Sequence, residues 1–261
     1  MTPVGPSHSV VHEDAVELVL AFLVSFVAGY LGSAVGLVLG TLRLPAILLL
    51  SGDASTGAGT NIAISAASAA SGGYRHAREG RVDRRTVAWM TPPSILGAII
   101  GALLTDELPT KLLLATIAAI LIWNGFDLLV RPIRGREAAD PRLTLAVLFG
   151  FGIGVLGGAV GVILGTLRMP ALLRGVGLSA KRAVGTNLVI GFALGAVAFA
   201  THAFLGNVDW AVLGAGIAGA LPGGWFGARL TRTISEIALR RAIGVALIAI
   251  AVAFLIEVAL G

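Results

Sequence analysis

Between Leu143 and Leu167 the chain carries no charged residue. A largely apolar run of about 18 or more residues without charge is long enough to cross the hydrocarbon core of a bilayer. In water it would need complete cover from other protein, and this sequence has little polar surface to supply it. Of its 261 residues 13% are charged and 56% are apolar, whereas about 25% are charged in soluble domains. Mean hydropathy is +0.92. The apolar residues come in long runs rather than periodic stripes, and within lipid only helices or closed barrels satisfy the backbone. The expectation is an all-α, polytopic membrane protein embedded in a lipid bilayer.

Several function classes are set aside by composition. Zero cysteines excludes disulfides, thiolate metal sites and cysteine nucleophiles. The net charge of +5 does not point to nucleic acid, because the basic residues sit between apolar runs, where they mark cytoplasmic loops. The acidic stretch "HEDAVE" before the first run predicts no cleavable leader, which would start with a basic flank. "GVGLSAKR" lacks the Gly-Lys pair of a Walker site. No nucleophile–base or metal-ligand constellation is legible, so no catalytic residue, metal or cofactor is expected and an enzyme is not. Asp and Glu avoid the centres of the runs. Asp127 comes nearest and reads as an i,i+4 partner of Arg131. A carboxylate-poor interior suits an anion better than a metal cation.

The chain is written twice. "GSAVGLVLGTLRLPAIL" at Gly32–Leu48 returns as "GGAVGVILGTLRMPALL" at Gly157–Leu173, 125 residues later. At an offset one larger, "GTNI" at Gly59–Ile62 returns as "GTNL", "GRVD" at Gly80–Asp83 as "GNVD", and Gly97 and Gly101 as Gly223 and Gly227. The boundaries read as an outside tail (1–14), a first repeat (15–130), a cytoplasmic linker (131–142) and a second repeat (143–261). Each repeat opens with a block too long for one span and too short for two, studded with glycine, and three further blocks follow.

Charge chooses between two topologies. If the first block crosses once, the basic residues split almost evenly. If it is a broken or re-entrant helix returning to its own side, each half has three spans and the halves are inverted. Loops 75–85, 131–142, 168–182 and 229–241 then share one face with seventeen of the 19 basic residues, leaving only Arg43 and Lys111 opposite. The positive-inside rule selects this second arrangement, with basic loops cytoplasmic and both termini outside.

The blocks "AGYLGSAVGLVLGTLRLP" and "GIGVLGGAVGVILGTLRMP", the two "GTN" strings, "GRVD" and "GNVD", and "LPGGWFGARL" at Leu221–Leu230 resemble the TauE/SafE family of membrane proteins in order and duplication. The resemblance covers nearly the whole chain. It departs in having "SAVG" and "GAVG" where the family has denser glycine, and in placing Arg43 and Arg168 before the prolines. It implies a plasma-membrane transporter or facilitated exporter moving sulfite, sulfonates and related organosulfur anions. A membrane assembly partner without transport stays open as an alternative, with a membrane-embedded enzyme behind it. A homo-oligomer is also left open.

If hairpins enter from both faces, their glycine turns meet near the midplane. Helix starts there offer unpaired N–H groups and positive dipole ends to an anion. The expected site comprises Gly32, Gly36, Gly157, Gly161, Thr60, Asn61, Thr186 and Asn187, with the Thr-Asn pairs at helix starts. Arg43 and Arg168 guide entry from opposite sides or snorkel at the interface. Ser65, Ser68 and Ser71 read as helix packing, and His76 and His202 as interfacial.

Overall fold

The computed structural model of the chain describes residues 8–37, 39–51, 53–103, 110–130, 140–160 and 165–260. Among these residues the protein is all-helical. The first half contains α1 (His8–Val35), α2 (Gly40–Leu50), α3 (Ala54–Arg78), α4 (Arg84–Leu103) and α5 (Thr110–Val130). The second contains α6 (Leu143–Val160), α7 (Gly165–Pro170, continuing as a π-helical segment Ala171–Val176), α8 (Ala180–Phe204), α9 (Trp210–Thr233) and α10 (Glu236–Leu260). Among the described residues four stretches are long and apolar enough to cross a bilayer: Ala15–Val35, Ala180–Phe204, Trp210–Thr233 and Glu236–Ile256. Large apolar side chains face outward, among them Phe204 at 92% and Trp123 at 69% exposure, as a lipid-facing surface requires.

Both first blocks are broken, as their length predicts. α1 ends where the Leu37 N–H donates to Gly32 O at 2.8 Å and Gly36 takes φ +72°, a left-handed turn that glycine adopts without strain. The chain then reverses. Gly29 and Ser33 of α1 lie beside Ser68 and Gly72 of α3, whereas Gly40 and Leu48 of α2 lie beside Ser65 and Gly57. α1 therefore runs parallel to α3, and α2 antiparallel to both. In the second half the returning segment closes on its own start: the Arg142 N–H donates to Val176 O at 3.1 Å, and Gly175 packs on the Phe149 ring.

α1 packs on α9 and α4 on α6, while α3 pairs with α8 and α5 with α10. The third-block glycines make the first contact. Gly219, Gly223 and Gly227, four apart on α9, sit on the carbonyls of Phe22, Phe26 and Tyr30, also four apart on α1, and Gly97 sits on Phe151 O of α6. Small residues at this spacing let helix backbones touch. The side-chain surroundings of Gly101 lie outside the described residues. A Cβ at Gly227 would collide with backbone, which cannot yield as a side chain can. Gly227→Leu is therefore expected to leave little monodisperse protein by size-exclusion chromatography, and a normal elution profile would remove this packing account.

α3 and α8 run antiparallel, Gly59 lying against His202 and Asn207 at one end and Gly185 against His76 and Arg81 at the other. The "G-x-V-D" strings are the loops that receive these glycines. Gly80 and Gly206, at φ +71° and +76°, end α3 and α8 with left-handed caps. Asp83 and Asp209 cap the next helices, accepting from Thr86 N at 2.7 Å and from Ala211 N and Val212 N at 3.0 Å, as N-cap carboxylates do. α4 runs unbroken through Pro92 and Pro93.

Candidate functional site

α3 and α8 begin earlier than the apolar pattern suggests, because polar and small residues form their first turns; Asp53 caps α3 by accepting from Thr56 N at 2.9 Å. Thr60 and Asn61, like Thr186 and Asn187, thus lie in the second turn rather than at the start, and their own N–H groups belong to the helix.

Each asparagine holds an arginine from the broken block. Arg43 Nε donates to Asn61 Oδ1 at 2.9 Å, and Arg43 Nη2 donates to Asn61 O at 2.9 Å and Ser65 Oγ at 2.7 Å. In the second half Arg168 Nε donates to Asn187 Oδ1 at 2.9 Å. The asparagine amides complete the frame. Asn61 Nδ2 donates to Gly40 O at 3.1 Å. Asn187 Nδ2 donates to Gly165 O at 2.8 Å and also to Gly36 O at 2.7 Å, across the two halves. The arginines do not reach a surface: they are 2% and 1% exposed. Among the described residues no carboxylate pairs with either, while Arg75, Arg81, Arg85, Arg174, Arg182 and Arg240 all form ion pairs.

The threonines do different work. Thr60 Oγ1 accepts from Asp209 N, and Thr186 Oγ1 from Asp83 N, both at 2.9 Å. Each "GTN" string is thus a three-part joint: glycine seats the other half's loop, threonine locks that loop, and asparagine orients its own half's arginine. Asp83 also pairs with Arg182 at 2.6 Å. In the same loop Arg81 donates to Ala228 O at 3.0 Å, and burial lowers its pKa, with Glu79 opposing the shift. Thr186→Val is expected to lower stability by about 1–3 kcal/mol, the cost of leaving a buried donor unpaired. A melting temperature equal to that of the parent protein would contradict the lock.

Among the described residues the two Thr-Asn pairs do not converge on one centre. Asn61 and Asn187 each lie seven residues into their helices, and those helices are antiparallel. Gly72 and Gly73 face Leu188 and Val189, which puts Asn187 level with about Tyr74, roughly 20 Å along α3 from Asn61. Two arginine–asparagine centres therefore stand at different depths. The link from Gly36 to Gly40 joins them, Gly36 O accepting from Asn187 and Gly40 O from Asn61. Gly32 and Gly36 shape this link: Gly32 packs on Leu37 O, and Gly36 on Val184 and Met169. Gly157 is half-buried in the last turn of α6; Gly161 lies outside the described residues. A largely apolar cleft of about 320 Å³ is lined by α1 residues from Leu23 to Leu31 together with Leu39 and Arg43.

Other expectations fare variously. His76 is fully buried in the protein at the end of α3, where Gly185 packs on it. Ser71 Oγ donates to Leu221 O at 2.6 Å, as helix packing predicts. Ser65, read from sequence as helix packing, instead accepts from Arg43, a contact that sequence reasoning missed. Asp127 pairs with Arg174; Arg131 lies outside the described residues.

An apolar exterior, helices of spanning length and polar centres confined to the interior define a multi-pass membrane protein. The chain belongs to the sulfite exporter TauE/SafE family, which matches residues 21–254. It is 28% identical over 236 residues to "Probable membrane transporter protein YdhB" of Bacillus subtilis, covering 87% of this chain and 94% of that one. It is 28% identical over 202 residues to "Probable membrane transporter protein ORF9" of Sinorhizobium sp, covering 75% and 76%. A "Probable membrane transporter protein" of Haemophilus influenzae is 24% identical over 227 residues, covering 85% and 88%. No solved structure matches the chain. The family is one of membrane transporters, not enzymes.

Proposed function

We propose that the protein is a secondary transporter or facilitated exporter of small anions, with sulfite, sulfonates and related organosulfur anions as substrates. The observation that carries this is the pair of buried guanidinium groups with no carboxylate partner among the described residues. An unpaired charge in a membrane interior is costly and marks a solute path. Neutral asparagines orient these cations without neutralising them, so an anion supplies the missing charge. The family's description favours oxidised sulfur.

The two centres act as stations in series, one nearer each face, joined by the Gly36–Gly40 link. The antiparallel pairing of α3 with α8, helices of equivalent sequence, supports inverted halves, and rocking one half against the other exposes the stations alternately. The protein sits in the plasma membrane with its basic loops in the cytoplasm. A thermal-shift panel of sulfite, sulfate, thiosulfate, methanesulfonate and acetate is expected to show stabilisation by the sulfur oxyanions. If no anion in the panel stabilises the protein or crosses proteoliposomes containing it, the reading falls and a non-transporting assembly role replaces it.

A further inference from the structure

The two arginine centres are not equivalent, although the sequences around them nearly repeat. In the first half Ser65 Oγ takes an N–H of Arg43 Nη2 at 2.7 Å, and Asn61 O takes another at 2.9 Å. The repeat offset places Gly191 at the position of Ser65. The second half therefore has no hydroxyl there, and Arg168 Nη2 is buried with no hydrogen-bond partner. Arg168 is 1% exposed, and among the described residues its side chain is held through Nε alone. Buried donors of this strength are nearly always satisfied, and an orphan calls for a specific explanation such as a bound ion; at Arg168 the missing hydroxyl of position 191 supplies the reason that the donor is open. Asn187, which orients Arg168, also bridges the two chain breaks through Gly36 O and Gly165 O, so the open donor lies where the halves meet.

We infer that of the two stations the Arg168 centre is the tighter anion site, and that glycine at position 191 keeps its Nη2 donor open for an oxyanion oxygen, whereas Ser65 closes the matching donor on Arg43. This rests on the proposed anion transport and assigns its main binding step to one half. A guanidinium suits an oxyanion in shape as well as charge, since two parallel N–H groups meet two oxygens of a sulfite or sulfonate, as they do with carboxylate and phosphate.

The test is sulfite uptake by proteoliposomes containing the full-length protein, read as KM and maximal rate. Gly191→Ser supplies the hydroxyl that Ser65 supplies in the other half; Gly191→Ala adds the same Cβ without it. Gly191→Ser is expected to raise KM about tenfold or more over Gly191→Ala, the loss of one charge-assisted hydrogen bond. Arg168→Gln is expected to raise KM at least about tenfold more than Arg43→Gln, a comparison that stands even if both Gly191 variants fold poorly. Equal effects of serine and alanine, or of the two arginine substitutions, overturn the assignment. Absence of uptake by the unsubstituted protein overturns the transport reading instead.

Discussion

Replacing Asn187 by leucine is expected to abolish anion flux and to lower stability by about 1.5–3 kcal/mol or more, the loss of a buried hydrogen bond to a charged group. The loss is compound. Arg168 Nε loses its acceptor, and Gly165 O and Gly36 O lose the amide that ties the two chain breaks together. Asn61→Leu is expected to be milder, because Arg43 keeps Ser65 Oγ and the backbone oxygen of residue 61. Asn187→Asp separates folding from transport. Its carboxylate still accepts from Arg168 and pairs with it, at the expense of the two amide donations. That variant is expected to fold, as judged by melting in detergent, and to carry no anion, since the guanidinium then has its counter-charge. Asn187→Asp with normal flux would show that the cation is not the anion's partner.

The second large effect is all-or-none. The protein has no cysteine, so single introduced thiols report sidedness cleanly. Ala77 and Leu205 are exposed at the ends of the equivalent helices α3 and α8. Inverted halves predict that Ala77→Cys labels with a membrane-impermeant maleimide only from the cytoplasmic face, and Leu205→Cys only from outside. In that arrangement the burial of Arg43 and Arg168 would sharpen the charge asymmetry: with both set aside, Lys111 would be the one basic residue opposite sixteen. Labelling of both thiols from one face would exclude the inverted arrangement.

The fold was legible because its main constraint is one-dimensional. Charge-free runs set the spans, and a block too long for one helix had to break. The glycines at 223 and 227 announced close packing by their spacing alone. The site was less legible. Thr60, Asn61, Thr186 and Asn187 recur and stand out, yet recurrence does not say which neighbour each one meets. The threonines reach loops of the other half, and the asparagines reach arginines 18 and 19 residues upstream. Proximity of Arg43 and Arg168 to prolines suggested a surface, because the reversal that carries them inward depends on tertiary contacts. One signal was available: each repeat keeps one arginine and one asparagine at nearly the same separation within otherwise neutral blocks, as mutual partners do. Ser65 was masked by its company, since Ser68 and Ser71 share its helical face and make ordinary packing contacts.

The central claim is that a small anion crosses by pairing with the buried arginines. Its most direct test is radiolabelled sulfite uptake into proteoliposomes containing either the unsubstituted protein or the Arg43→Gln/Arg168→Gln variant. Glutamine keeps a donor for each asparagine and removes both charges. The unsubstituted protein should show saturable uptake, inhibited by methanesulfonate and indifferent to tetramethylammonium. The double variant, folded and monodisperse, should match protein-free vesicles. Uptake by the double variant at the rate of the unsubstituted protein would contradict the account.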